Sequence, residues 1–208
     1  MNTKEDLINN LIKEGYLKTP AVIEAFKNID RKSFVSDDLQ NRAYENSALP
    51  IGNKQTISQP LVVAFMLELL DLKFGEKVLE IGTGSGWKTG LMADLVGDGG
   101  KIFSIERVRE LYDIAENNIQ KYEAISNRRV DLLLGDGSKG YEEGSPYDKI
   151  ISAASAEDIP LEWKDQLKIG GRIVAPVKDS ILVLDKLAKN KFETKEYFGF
   201  NFVPLISH

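Results

Sequence analysis

Between Val78 and Gly86 the chain reads V-L-E-I-G-T-G-S-G. An apolar run carries one acid, Glu80, and passes at once into Gly82, Gly84 and Gly86; Trp87, Lys88 and Thr89 then open a stretch of helical spacing. Glycines at a strand-to-helix turn allow a tight bend and let the backbone approach a ligand that a side chain would exclude. The helix behind them offers unpaired N–H groups to that ligand. The spacing is G-x-G-x-G, with Trp87 where a dinucleotide-binding loop would place its third glycine. A Gly-rich turn is often only a turn, so the flanking pattern carries the weight. The run Lys101 to Ile105 reads as a second strand and ends at Glu106, 24 residues past Gly82. An acid roughly 20 residues beyond such a loop holds ribose hydroxyls. Glu106 could instead be a first-turn acid stabilising the next helix; its offset from the glycine loop favours ribose. A third run, Val130 to Leu134, leads into Gly135-Asp136-Gly137, where Asp136 would meet an adenine amino group or close a plain Asp-Gly turn. Three successive strand ends carrying acids are hard to explain as turns alone.

These residues need a scaffold, and the rest of the sequence supplies one. From Glu76 onward, apolar runs and helical patterns alternate, which predicts a parallel sheet covered on both faces. Further strands are expected at Lys149 to Ser152 and Arg172 to Pro176, with a short helix near Leu161 to Gln166 between them. Ser180 to Leu187 and Lys191 to Phe200 read as an antiparallel pair. Upstream, Leu7, Ile8, Leu11 and Ile12 have helical spacing behind a possible Thr3 cap. Thr19 and Pro20 open a second helix, Thr19 as cap and Pro20 in the first turn. Asp30 to Gln55 reads as irregular but apolar, and Pro60 opens a helix through Leu70. Long irregular segments in compact domains are usually functional. The chain is thus read as one domain: residues 1–75 form a helical, substrate-side lid, and residues 76–208 form a Rossmann-like core.

Composition narrows the chemistry. The 208 residues include no cysteine and one histidine, His208, the last residue. Disulfides, a thiol nucleophile and a cysteine-ligated metal are thereby excluded; histidine catalysis is nearly so, and no metal site is expected. Hydrophobic residues make up 42% and charged residues 28%, and the formal net charge is −5. That balance suits one globular domain and argues against a broad nucleic-acid footprint. The pair Arg128-Arg129 reads as a solvated strand approach. Apolar runs are too short to span a membrane and no secretory signal is visible, so a cytoplasmic enzyme is expected, with a monomer as the default state.

Glu80 two positions before Gly82 resembles the cofactor loop of Rossmann-like class I S-adenosylmethionine-dependent methyltransferases. The whole chain resembles one family of them, the protein-L-isoaspartate (D-aspartate) O-methyltransferases. The more diagnostic stretch runs from Ala43 to Pro60, A-Y-E-N-S-A-L-P-I-G-N-K-Q-T-I-S-Q-P, and resembles the family segment that ends T-I-S-x-P. L-L-G-D-G-S-K-G-Y at Leu133 to Tyr141, P-Y-D-K-I-I at Pro146 to Ile151, L-K-I-G-G-R-I-V-A-P-V at Leu167 to Val177 and F-V-P-L at Phe202 to Leu205 follow in the family's order. The resemblance implies an α/β fold with a mostly parallel twisted sheet, helices on both faces, antiparallel C-terminal strands and an N-terminal helical lid. It implies S-adenosyl-L-methionine as cofactor, S-adenosyl-L-homocysteine as product, and isoaspartyl proteins and peptides as acceptors. Residue by residue, it implies cofactor contacts from Glu80, Gly82, Thr83, Gly84, Ser85, Gly86, Glu106, Arg107, Gly135, Asp136 and Gly137. It implies a peptide pocket at Thr56, Ile57, Ser58 and Val177, with Ser58 in the active site. The chain departs from the family's common pattern at Asn53-Lys54, at Leu61 and at Ser152-Ala153-Ala154-Ser155.

Taken from the residues alone, Ser58 before Gln59-Pro60 could be only a helix cap, and Trp87 reads as a core aromatic. The implied chemistry suits the missing residue types. An acceptor carboxylate is already ionised at pH 7 and needs no general base, only alignment with the methyl donor. Two other functions stay open on the sequence: methylation of a small molecule on the same fold, and a non-catalytic S-adenosylmethionine-binding module.

Overall fold

The computed structural model describes residues 3–122 and 129–206; Arg128 and His208 lie outside them. Thr3 begins the first helix, α1 (Lys4–Lys13), with a reciprocal cap. Its Oγ1 accepts the Asp6 N–H at 3.0 Å and its own N–H donates to the Asp6 carboxylate at 3.0 Å. Leu7, Ile8 and Leu11 turn inward, whereas Ile12 is 40% exposed, because the buried stripe of this short helix is narrower than its apolar spacing. The second helix, α2 (Pro20–Asn28), starts at Pro20, but the Thr19 hydroxyl does not cap it. That hydroxyl donates to Glu68 Oε2 at 2.7 Å, while Glu68 Oε1 accepts the Lys18 and Thr19 amides at 2.8 Å each. Glu68 belongs to α3 (Pro60–Leu70), so a neighbouring helix fastens the entry of α2.

The stretch expected to be irregular is more ordered than its sequence suggests. Two 3₁₀ turns, Arg31–Phe34 and Asp37–Arg42, are followed by an antiparallel hairpin of β1 (Leu49–Gly52) and β2 (Gln55–Ile57). Its tip is Asn53-Lys54, with φ of 49° and 58°, the left-handed geometry that two-residue hairpin loops require. Strands of four and three residues are too short to show an alternating pattern. Ser58 and Gln59 then lead into α3, and the cap position is Gln59. The first turn of α3 is satisfied from a distance: Asn46 Oδ1 accepts the Leu61 N–H at 3.0 Å, and Gln59 Nε2 donates to the Asn46 carbonyl at 3.0 Å.

A seven-stranded sheet forms the centre. Its strands are β3 (Lys77–Ile81), β4 (Lys101–Glu106), β5 (Val130–Leu134), β6 (Tyr147–Ser152), β8 (Leu167–Val177), β9 (Ser180–Ala188) and β10 (Lys191–Phe198). The order is β10-β9-β8-β6-β3-β4-β5. From β8 to β5 neighbours are parallel, β9 adds antiparallel to β8, and β10 adds antiparallel to β9. Strand β8 starts five residues before the expected Arg172, and β10 ends at Phe198, short of Phe200. Helices α4 (Trp87–Val96), α5 (Arg109–Gln120) and α6 (Leu161–Gln166) connect the strands. A short parallel pair, β7 (Ala154–Ser155) with β11 (Val203–Pro204), brings the C-terminal tail back to the end of β6.

Alternation along β3 divides the core. Val78 joins one buried cluster with Leu11, Phe26, Phe34, Leu67, Trp87 and Leu91, whereas Leu79 joins another with Tyr147, Ile150, Trp163 and Ile173. Each face of a strand buried on both sides needs its own apolar cover. The N-terminal helices supply part of the first. The order of strands reverses about β3, since β4 lies on one side and β6 on the other. In such sheets ligands bind beyond the carboxyl ends of the strands at that reversal. Among the described residues, no helix is long and apolar enough to cross a membrane.

Candidate cofactor and acceptor site

The glycine turn sits at this reversal, at the end of β3. Gly82 and Thr83 both donate their amides to the Ile105 carbonyl, at 2.9 and 3.3 Å, which ties the turn to β4. Gly84 has φ +60°, a conformation that L side chains rarely adopt. Gly86 serves packing: a Cβ there would lie 3.1 Å from Ile119 and 3.5 Å from the Ala115 Cα of α5. The Glu106 carboxylate at the end of β4 completes the turn. Its Oε2 accepts the Gly84 amide at 2.9 Å, and its Oε1 accepts the Arg107 and Val108 amides at 2.9 and 3.0 Å. The sequence offered ribose binding or helix support; the second is visible as amide bonds at the entry to α5, and lone pairs remain for hydroxyl donors.

Glu80 does something other than face a ligand. It is fully buried. Its Oε2 accepts Thr89 Oγ1 at 2.5 Å and Ser104 Oγ at 2.7 Å, and Lys88 Nζ stands 3.5 Å from Oε1. Ser104 Oγ also lies 2.6 Å from Thr83 Oγ1. Burial pushes the Glu80 carboxyl up and the Lys88 ammonium down, since a low-dielectric site disfavours both charges. This network pins the glycine turn from beneath. Ser85 is buried as well, and its hydroxyl has no hydrogen-bond partner among the described residues.

Above the turn lies a cavity of about 420 Å³, within the range of small-molecule sites. Three parts of the chain form its wall. The strand ends contribute Ile81, Gly82, Gly84, Ile105, Glu106, Arg107, Val108, Leu111, Gly135 and Gly137. The segment before α3 contributes Ala48, Ile51, Gln55, Thr56, Ser58 and Gln59, with Val62 behind them. Ala153, Ala154 and the tail from Asn201 to Ile206 close the third side. Among the described residues, the wall's charged members are Glu106 and Arg107; the remainder is apolar or neutral. A Cβ on Gly135 would meet nothing within 4 Å, so that backbone is open to an incoming group.

Comparison with known proteins identifies the arrangement. The sequence pattern of the family protein-L-isoaspartate (D-aspartate) O-methyltransferase matches residues 2–208. A protein-L-isoaspartate O-methyltransferase of Ignicoccus hospitalis is 45% identical, covering 98% of this chain and 97% of that one. One from Methanopyrus kandleri is 42% identical over 98% and 91%. The chain belongs to the protein-L-isoaspartate (D-aspartate) O-methyltransferase family. A crystal structure of a Plasmodium falciparum protein described as a putative member, in complex with S-adenosyl-L-homocysteine, has the same fold. It superposes with a TM-score of 0.89, covering 99% of both chains at 23% identity.

Within this member of the family, the residues named from the sequence divide by position. Gly82, Gly84, Glu106, Arg107, Gly135 and Gly137 line the cavity, as do Thr56 and Ser58. Glu80, Thr83, Ser85 and Gly86 sit beneath or behind the turn. Asp136 is not on the wall either; its Oδ1 accepts the Ser138 amide at 2.8 Å and caps a short turn, while the glycines on either side of it, Gly135 and Gly137, reach the cavity. Ile57 is buried in the core, 5% exposed. Val177, at the end of β8, packs on the second cluster instead of the cavity. Strand alternation explains Ile57, since β2 presents Thr56 outward and Ile57 inward. The Ser58 hydroxyl makes no hydrogen bond among the described residues, and the cap it could have supplied comes from Asn46. Sequence reasoning did not place Ala48, Ile51, Gln55, Val108 or the C-terminal tail on the wall. The F-V-P-L motif marked that tail, but only β11 pairing on β7 shows where it goes.

Proposed function

We propose that this chain transfers a methyl group from S-adenosyl-L-methionine to the free carboxylate of L-isoaspartyl residues in damaged proteins and peptides, the first step of their repair. One observation carries the reading. A single cavity holds the glycine turn with Glu106 on one part of its wall and the T-I-S-Q segment with Ser58 on another. The residues present fit the cofactor: a turn without side chains, a strand-end carboxylate for ribose hydroxyls and open backbone at Gly135. When bound, it supplies an electrophilic methyl carbon on a sulfonium and leaves as the thioether S-adenosyl-L-homocysteine.

The chain's own residues supply position. We assign Glu106 to the ribose, Gly82, Gly84 and Arg107 to the methionine and ribose side, and Gly135, Asp136 and Gly137 to the adenine side. Glu80, Thr83, Ser85 and Gly86 support that surface from behind. The acceptor carboxylate is ionised at pH 7, so a wall without a general base is adequate. A donor such as Ser58 Oγ–H can hold one carboxylate oxygen and leave the other free to attack, and alignment alone can contribute on the order of 7–11 kcal/mol. Excluding water strengthens the attraction between anionic acceptor and cationic donor. The methyl ester then closes to a succinimide when the next backbone amide nitrogen attacks its carbonyl carbon, the C–O bond breaks and the methoxy group leaves with the amide proton as methanol; water then adds to a ring carbonyl and reopens the ring in part as normal aspartate. Residues 1–75 act as the substrate-side segment of one domain. The formal net charge of −5 weighs against nucleic-acid binding; a cytoplasmic location and a monomeric state are proposed with it, and cell fractionation and sedimentation test them. Paired peptides differing only in isoaspartyl against aspartyl linkage test the acceptor: radiolabelled methyl transfer is expected on the first and near background on the second. Equal labelling of both would refute the assignment.

A further inference from the structure

Arg31 lies outside every motif discussed above, in the segment whose sequence reads as irregular. It is 2% exposed, yet it enters no ion pair among the described residues. Its guanidinium instead gathers four backbone carbonyls from one stretch of chain. Nη1 donates to Ala43 O at 2.7 Å and Glu45 O at 3.2 Å; Nη2 donates to Ser47 O at 2.8 Å and Ser58 O at 3.1 Å. Its carbon stands 5.3 Å from the Trp87 ring centroid, and Trp87 is the residue that follows Gly86 and begins α4. One buried cation therefore touches the backbone of the proposed acceptor serine and the residue next to the cofactor turn.

We propose that Arg31 is a positioning residue that holds the acceptor segment, Ala43 to Ser58, in register with the glycine turn. Burying a cation is costly, and Arg31 has only the longer-range attraction of Glu45 to offset it, so a merely space-filling role would suit an apolar side chain better. Guanidinium is matched to this task. Its donors lie in one plane and diverge in fixed directions, and charge-assisted bonds to carbonyls are roughly twice as strong as neutral ones. The segment it gathers has little regular structure of its own: two 3₁₀ turns and a hairpin of four- and three-residue strands. In-line displacement tolerates little error, so a loose acceptor segment would slow transfer while leaving the cofactor surface intact. Burial lowers the guanidinium to about 10, and it stays charged at pH 7.

The proposal rests on Ser58 being the acceptor-side residue, and Arg31→Ala and Arg31→Lys test it. In both, calorimetric affinity for S-adenosyl-L-methionine is expected to stay near parental. Turnover on the isoaspartyl peptide, normalised to cofactor-binding sites, is expected to fall by about 100-fold, the cost of a misplacement near 1 Å. Low-millimolar guanidinium ion should partly restore Arg31→Ala and not the parent, and ammonium should not substitute. Hydrogen exchange should speed up across residues 43–58 and stay parental across residues 78–86. Arg31→Lys keeps the charge and much of the bulk, so it carries the test if Arg31→Ala does not fold. Parental turnover per site in the folded variant, or a fall in cofactor affinity as large as the fall in turnover, would overturn the proposal. If the parent itself failed to methylate the isoaspartyl peptide, the acceptor reading would fall; the exchange pattern would still decide the clamp.

Discussion

Ser58 and Glu106 line one cavity wall, and the different roles proposed for them make their variants separable. The Ser58 hydroxyl supports no helix, because Asn46 takes the cap of α3. Ser58→Ala is therefore expected to leave melting temperature and cofactor affinity near parental. Its kcat/KM for the isoaspartyl peptide should fall by the equivalent of about 2–4 kcal/mol, the usual cost of losing one positioned donor. A lower melting temperature with parental kinetics would return Ser58 to a structural role. Glu106→Ala is expected to weaken cofactor binding by about 1–3 kcal/mol. Part of that loss comes through the turn, since the same carboxylate holds the Gly84, Arg107 and Val108 amides. A dissociation constant within about twofold of parental would mean that those amides are its whole task.

At the scale of elements, the site depends on a turn that must stay bare and a helix capped from elsewhere. Gly84→Val places a branched side chain at φ +60° on the cavity wall. Binding of S-adenosyl-L-methionine should be abolished while circular dichroism stays native-like, because a strained surface turn costs on the order of 1–3 kcal/mol and not the fold. Unchanged calorimetric affinity in a folded protein would misplace the cofactor. Asn46→Ala removes the acceptor for the Leu61 amide. It should cost about 1 kcal/mol in denaturant unfolding, as cap losses do; no change in midpoint would show that solvent replaces it fully.

For the molecule as a whole, one carboxylate ties three central strands at their amino ends, opposite the turn. Asp148 on β6 accepts the Lys77 amide of β3 at 2.8 Å and Lys168 Nζ of β8 at 2.6 Å. Burial pushes its carboxyl up, but the hydrogen bonds from Lys168 and Lys77 hold it below the ordinary aspartate value. A depressed carboxyl stabilises the fold above its unfolded pKa and loses that contribution as pH falls through the folded one. Asp148→Asn should therefore be less stable than the parent at pH 7, by about 1 kcal/mol since the pair is partly solvated. The gap should close as pH falls below about 4. A gap that stays constant across that range in denaturant titrations would show that the charge is immaterial.

What the chain fixes locally could be read without coordinates. The apolar runs of β3, β4 and β5, the glycine turn, the Thr3 cap and the start of α3 at Pro60 all depend on neighbours a few residues away. Periodicity and backbone preference express themselves over that distance. The strand-end acids were legible as a set for the same reason: each lies within two residues of the end of its own strand. Their division of labour was not. Whether Glu80 faces a ligand or Thr89, Ser104 and Lys88 depends on how β3, β4 and α4 pack, and burial excludes it from the cavity. Tertiary structure alone also decided that Asn46 caps a helix fifteen residues away, that Glu68 receives Thr19, and that the tail closes the cavity. Arg31 shows why most plainly. In sequence it is one cation among 27 lysines and arginines; it becomes a clamp only when folding brings four carbonyls and an indole around it, and no local pattern encodes contacts made across the chain.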